Sequence, residues 1–164
     1  MVRQILELLE RDAQLSHETI ATMTGLPVAE VSEAIATWEA SGAIRRYKAV
    51  VDWDAVDGDP TSETVTAFID VSIAPARGVG FDDVATRIAR FDEVRSVYLV
   101  SGSHDLRCTV MGRTIRAVSD FVSQKLSTID RVQGTATHFV LKTYKRDGDA
   151  FTQPDRDHRL PVTP

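Results

Sequence analysis

The chain has 164 residues, 43% of them hydrophobic and 26% charged, which suits one ordinary domain or two small ones and excludes a disordered tail. A net charge of −5 argues against a constitutive nucleic-acid coat protein, but local patches count for more than totals, so a specific binder remains open. Cys108 is the single cysteine, which excludes an intrachain disulfide and a cysteine-based zinc site. The N-terminal MVRQILELLERDAQ is amphipathic with charges throughout, unlike a signal peptide. No run approaches the roughly 18 apolar residues of a membrane span, so a cytoplasmic setting without membrane contact is expected.

Residues 1–48 read as helices. In VRQILELLERDA, Val2, Ile5, Leu6, Leu8 and Leu9 form one apolar stripe. Ser16 is placed to cap a second helix in SHETIATM, which Gly25 breaks. Pro27 suits the first turn of a third helix, whose Val31, Ile35 and Trp38 recur at spacings of four and three before Ser41-Gly42 ends it. AIRRYKAVVDW, residues 43–53, then alternates like a short β-hairpin or wing.

A helix-turn-helix needs a small residue where its helices nearly touch, a glycine in the turn and an apolar anchor on the second helix. Ala21, Gly25 and Val31 supply these, and Ile20, Leu26 and Ile35 complete a three-helix core. The same spacing fits a helical bundle with no nucleic-acid role. Residues 1–50 hold five basic side chains against seven acidic, a net of −2. The third helix carries Glu30, Glu33 and Glu39 and no Lys or Arg. Duplex affinity comes largely from neutralised phosphates, so Arg45, Arg46 and Lys48 on the wing are the residues expected to grip the backbone. Ser16 and His17, at the start of the second helix, are placed for neutral phosphate contacts. Ser32, Glu33 and Thr37 face outward on the third helix with Ala29; hydroxyls read either pair type, and Glu accepts from cytosine.

DWDAVDGDPTSE is rich in Asp, Gly and Pro, the composition of a linker. Beyond it TVTAFIDVSI alternates, with Val65, Ala67, Ile69, Val71 and Ile73 on one face and Phe68 on the other. GFDDVATRIARF is helical, VRSVYLV and DLRCTVM are strands joined by SGSH, and TIRAVSDFVSQKLSTI is a helix with Ile115, Val118, Val122 and Leu126 inward. GTATHFVLKTYK is a last strand. The order β-α-β-β-α-β is the split ferredoxin-like arrangement, with both helices on one sheet face. The other face carries Phe68, Arg107, Thr109 and Met111, a mixture that predicts cover by another subunit. Cys108 alternates with Leu106 and Val110 as a core residue. Ser103, His104 and Asp105 are adjacent, and strand neighbours point to opposite faces, so no catalytic relay among them is expected. The four histidines, His17, His104, His138 and His158, lack paired ligand spacing, so no metal site is expected.

LSHETIATMTGLPVAEVSEAIATWEASGAIRRYKAVVD and VYLVSGSHDLRCTVMGRTIRAVSDFVSQKLSTIDRVQGTATHFVLKTYK, in that order and spacing, resemble the Lrp/AsnC (feast/famine) family of bacterial and archaeal transcriptional regulators. The resemblance covers residues 2–145. It implies an α+β chain: a winged helix-turn-helix over residues 1–50, a linker over 51–63, a ferredoxin-like effector-binding and oligomerisation (RAM) domain over 64–146, and a C-terminal arm over 147–164. It also implies double-stranded DNA as a partner, self-association as dimers, tetramers or octamers, and an amino-acid effector bound between subunits with no other cofactor. The family's Gly-x-x-Asp turn falls on Gly102 and Asp105, with His104 before the aspartate, and its last-strand stretch falls on Thr135, Ala136 and Thr137. Turn amides and Thr hydroxyls suit a carboxylate, and Asp105 suits an ammonium group. Family recognition helices usually carry several basic residues, which this one lacks. Two further readings fit the same plan: an effector-binding oligomer without autonomous DNA binding, and an enzyme similar to the sirohaem decarboxylases, in which His104 with Arg107 or Arg95 meets propionate groups.

Overall fold

A computed structural model describes residues 2–52, 64–74 and 80–151; most of the predicted linker and the chain beyond 151 lie outside them. The chain divides into two compact units, Met1–Val51 and Asp52–Pro164.

The first unit is three helices, α1 (Val2–Arg11), α2 (His17–Thr24) and α3 (Val28–Ser41). Ser16 caps α2, its Oγ accepting from the Thr19 amide at 3.2 Å, which satisfies one of the orphan donors of a first turn. Gly25 and Gly42 end α2 and α3 in the left-handed conformation that lets the chain turn away. Pro27 stands one place earlier than expected, as the N-cap of α3. Ile5, Ile20, Ala21, Val31 and Ile35 form the core, and the bulkier Trp38 packs at its margin half-buried. One expectation is corrected: the run predicted as a hairpin, 43–53, holds no strand over 45–52, and Trp53 lies outside the described residues. Alternation supplies a side-chain pattern but not a ladder. Between Ala43 and Asp52 there is no Gly, Pro or Asn to fold the run back on itself.

The second unit runs β1 (Val65–Ile73), α4 (Asp82–Ile88), β2 (Val94–Leu99), β3 (Leu106–Gly112), α5 (Ile115–Phe121) and β4 (Val132–Phe139). The sheet order is β2-β3-β1-β4, antiparallel throughout, which is the ferredoxin-like topology. Ala67, Ile69, Val71 and Ile73 of β1 and Leu106, Cys108 and Val110 of β3 meet Val84, Ile88, Val118, Phe121 and Leu126 in one core. β3 comes close to α5 at Gly112, where a Cβ would stand 2.9 Å from Val118 Cγ2.

Two predicted elements end differently. The helix expected over residues 114–129 is α-helical only to Phe121 and continues as a π turn, Val122–Leu126, with the Ser127 amide on the Val122 carbonyl at 2.8 Å. The wider turn places Phe121 and Leu126, five apart, in the core together; Ile115, expected inward, is 58% exposed in the first turn of α5. The last strand stops at Phe139, and the predicted arm begins instead as a hairpin of β5 (Lys145–Arg146) and β6 (Asp149–Ala150). Asp147 and Gly148 turn it with φ of 51° and 97°, the backbone that Asp-Gly adopts most cheaply.

Candidate DNA-facing and effector-binding sites

On the first unit the predicted contact residues gather at the start of α2 and along α3. His17 Nδ1 lies 2.8 Å from Ser32 Oγ, so the two share a hydrogen bond that joins the α2 entry to the middle of α3. Ser16 spends its oxygen on the cap. Thr37 Oγ1 donates to the Glu33 carbonyl at 2.8 Å, and Glu33 is exposed. A bond from its own backbone N–H, with Ser16's side chain, holds the Glu18 carboxyl below its ordinary range, keeping a negative charge in the first turn of α2. Glu39 accepts from the Tyr47 hydroxyl at 2.9 Å. Arg45, Arg46 and Lys48 are exposed. The Arg45 guanidinium lies over the end of α3, Nη1 3.5 Å from where a Cβ on Gly42 would stand.

On the second unit the helix-free sheet face is a mixed surface. Phe68 lies opposite Thr109 and Thr66 opposite Met111, with Arg107 beside them, as the alternation predicts. Ser96 and Tyr98 of β2 join them across β3. Asp70 stands opposite Arg107 in the ladder and is 4% exposed. Arg107 donates Nε to Oδ1 at 2.7 Å and Nη2 to Oδ2 at 2.8 Å, a planar fork on a carboxylate. His138 Nε2 and His104 Nδ1 approach the same Oδ2 at 3.5 and 3.9 Å. The Arg107 bonds outweigh burial and hold the Asp70 carboxyl below the usual range, and Asp70 in turn raises Arg107.

This pair forms one wall of a surface cleft of about 520 Å³, completed by Leu99 to His104. Of the predicted effector residues, Gly102 and His104 line it. Asp105 does not: its Oδ2 accepts from the Ile73 amide at 2.7 Å and its own amide donates to the Val71 carbonyl at 3.1 Å, fastening the β2–β3 turn to β1. The register also separates the last-strand residues. Ala136 pairs with Asp70 on the open face, while Thr135 and Thr137 pair with Val71 and Ile69 on the helix-covered face. Asp70 is the cleft-lining residue that sequence reasoning missed. Its only signal, an opposite charge at matching parity on another strand, becomes readable once β1 and β3 are known to be neighbours.

Ser103 and His104, in the SGSH joint that the sequence placed between the two strands, do meet, Oγ to Nδ1 at 3.0 Å, because in a bend neighbouring side chains need not point to opposite faces. Asp70 addresses that same ring nitrogen, whereas a relay uses both nitrogens of one imidazole. Arg95, exposed at the irregular start of β2, is not among the residues lining the cleft. Cys108 is fully buried in the core, and burial pushes its thiol up to about 12. Among the described residues no three His, Cys, Asp or Glu side chains gather as a metal would require, and no helix is long and apolar enough to cross a membrane. His158 lies outside the described residues.

A three-helix unit with a helix-turn-helix joined to a ferredoxin-like unit with a polar cleft defines a two-part, sensor-and-binder class of protein. A profile described as the Lrp/AsnC ligand binding domain matches residues 66–150. The chain is 50% identical over 161 residues to YugG, an uncharacterized HTH-type transcriptional regulator of Bacillus subtilis, spanning 98% of this chain and 95% of that one. Its fold is similar to a transcriptional regulator of Neisseria meningitidis solved as a complex with L-Met, at 25% identity, TM-score 0.67, and 93% and 94% of the two chains. It is similar as well to the feast or famine regulatory protein of M. tuberculosis complexed with L-methionine, at 25% identity, TM-score 0.69, and 92% and 96% coverage. The chain belongs to the Lrp/AsnC family of DNA-binding transcriptional regulators.

Proposed function

We propose that the cleft beside Asp70 and Arg107 is the effector site, that its ligand is a small amino acid, and that its occupancy shifts assembly or DNA binding. The carrying observation is the Asp70–Arg107 pair at the cleft wall. Two of the five guanidinium N–H groups hold Asp70, which leaves others for a ligand carboxylate beside the Ser101 to Ser103 turn. Leu99 and Val100 offer an apolar wall for a side chain, and Asp70 offers negative charge to an ammonium group. The L-methionine complexes of the two similar regulators support this ligand class. A second copy covers the open face around Phe68. Arg45, Arg46 and Lys48 hold phosphates, while His17, Ser32, Glu33 and Thr37 face the groove. The protein acts as a regulator, a reading supported by the regulators it resembles.

The test is fluorescence anisotropy of the full chain on a labelled duplex from its own upstream region, titrated with L-methionine. DNA affinity is expected to change by about 5-fold or more in the unmodified protein and to stay fixed in Arg107→Ala. A methionine response that survives Arg107→Ala overturns the cleft assignment; absence of DNA binding overturns the contact residues assigned above.

A further inference from the structure

The recognition helix α3 poses an electrostatic problem, because it bears Glu30, Glu33 and Glu39 with no cation of its own. The three glutamates are not equivalent. Glu39 Oε1 accepts from the Tyr47 hydroxyl, eight residues further on, at 2.9 Å. Desolvation and that bond raise the phenol above its ordinary value, and a phenol is a donor at neutral pH even without that rise. The chain between them is held to the last turn of α3 as well. The Gly42 amide donates to the Glu39 carbonyl at 3.1 Å and the Ile44 amide to the Trp38 carbonyl at 3.0 Å. No strand forms over the described residues 45–52, and the Tyr47 hydroxyl bond ties the basic stretch back to the helix. Arg46 and Lys48 flank Tyr47 in sequence.

We infer that Glu39 is a positioning residue for DNA binding: clasped to Tyr47, it sets the direction in which the Arg45–Lys48 run leaves the recognition helix. The inference rests on the reading of that run as a phosphate grip. It assigns to an acidic residue a favourable effect on binding a polyanion, and so it parts from simple electrostatics in sign. Removing a negative charge beside DNA ordinarily tightens binding. Removing this one loosens it, because the phosphate-binding side chains lose their aim.

The experiment measures binding of the full chain to the labelled upstream duplex across a salt series, for the unmodified protein, Glu39→Ala, Glu39→Gln, Tyr47→Phe and Glu33→Ala. Circular dichroism establishes equal helix content. Glu39→Ala and Tyr47→Phe are expected to weaken binding about 5- to 10-fold with a shallower salt slope, and their combination to do no more than either alone. Glu39→Gln, which keeps an acceptor for the hydroxyl, is expected to bind at least as tightly as the unmodified protein, and Glu33→Ala not to weaken it. Tighter or unchanged binding by Glu39→Ala, or an unaffected Tyr47→Phe, overturns the clasp. Failure of the unmodified protein to bind overturns the phosphate grip itself, and the clasp with it, an outcome distinct from the first.

Discussion

Asp70 is a carboxylate almost removed from water, 4% exposed, at the centre of a sheet face. An isolated buried charge is expensive, and the doubly bonded Arg107 offsets that cost. Because the guanidinium side chain is 52% exposed, the pair contributes less than a fully buried one. The sign of its pH dependence follows from the lowered carboxyl value in the folded state. The contribution is fully present above the ordinary carboxylate value, about pH 4, and fades as pH falls through the lower folded value. Asp70→Asn should therefore be less stable than the unmodified protein at pH 7 and converge with it toward pH 3. Thermal melts over that range measure the convergence, and parallel curves would contradict it.

At the scale of elements, the contact of β3 with α5 depends on a missing side chain. A methyl on Gly112 meets Val118 Cγ2 at 2.9 Å and the Val118 amide nitrogen at 3.4 Å, so the buried Val118 side chain, the helix or the strand must shift. Gly112→Ala is expected to cost about 1–3 kcal/mol by overpacking, read as a lower urea midpoint at unchanged slope. The elements themselves were largely legible, because their signals are local. Ser16, Gly25 and Gly42 punctuate the helices, and strict alternation marks β1 and β3. What escaped depends on partners far along the chain. Ile115, in the first turn after the Thr114 cap, is 58% exposed, and Phe121, which meets Phe91 edge-on with ring centroids 5.4 Å apart, is buried instead. The cleft was half legible: Gly102 and His104 belong to a recognisable turn, while Asp70 reads as an ordinary outward-facing polar residue of β1 until its ladder partner is known. The Asp147-Gly148 hairpin carried a local signal that the polar composition of the tail concealed.

At the scale of the whole molecule, the open sheet face is too apolar in places to be left to water. Phe68 is 44% and Tyr98 59% exposed, with Met111 nearby on the same face. In the proposed self-contact a second copy laid on this face would bury the aromatic rings, and an acidic substitution there would oppose it at both sites of a symmetric contact. Phe68→Asp is expected to shift the mass seen by light scattering toward the monomer, with at least a tenfold weaker association; an unchanged mass would move the self-contact elsewhere. The fastening of Asp105 to the Ile73 amide bears on how occupancy of the cleft is observed in such an assembly. A short bond to a carboxylate shifts an amide proton's magnetic resonance and slows its exchange with deuterium. That proton sits at the end of the strand bearing Asp70 and is held by the turn bearing Gly102 and His104. One labelled isoleucine nitrogen is thus a built-in gauge of whether the turn has moved, readable without touching any residue that lines the cleft.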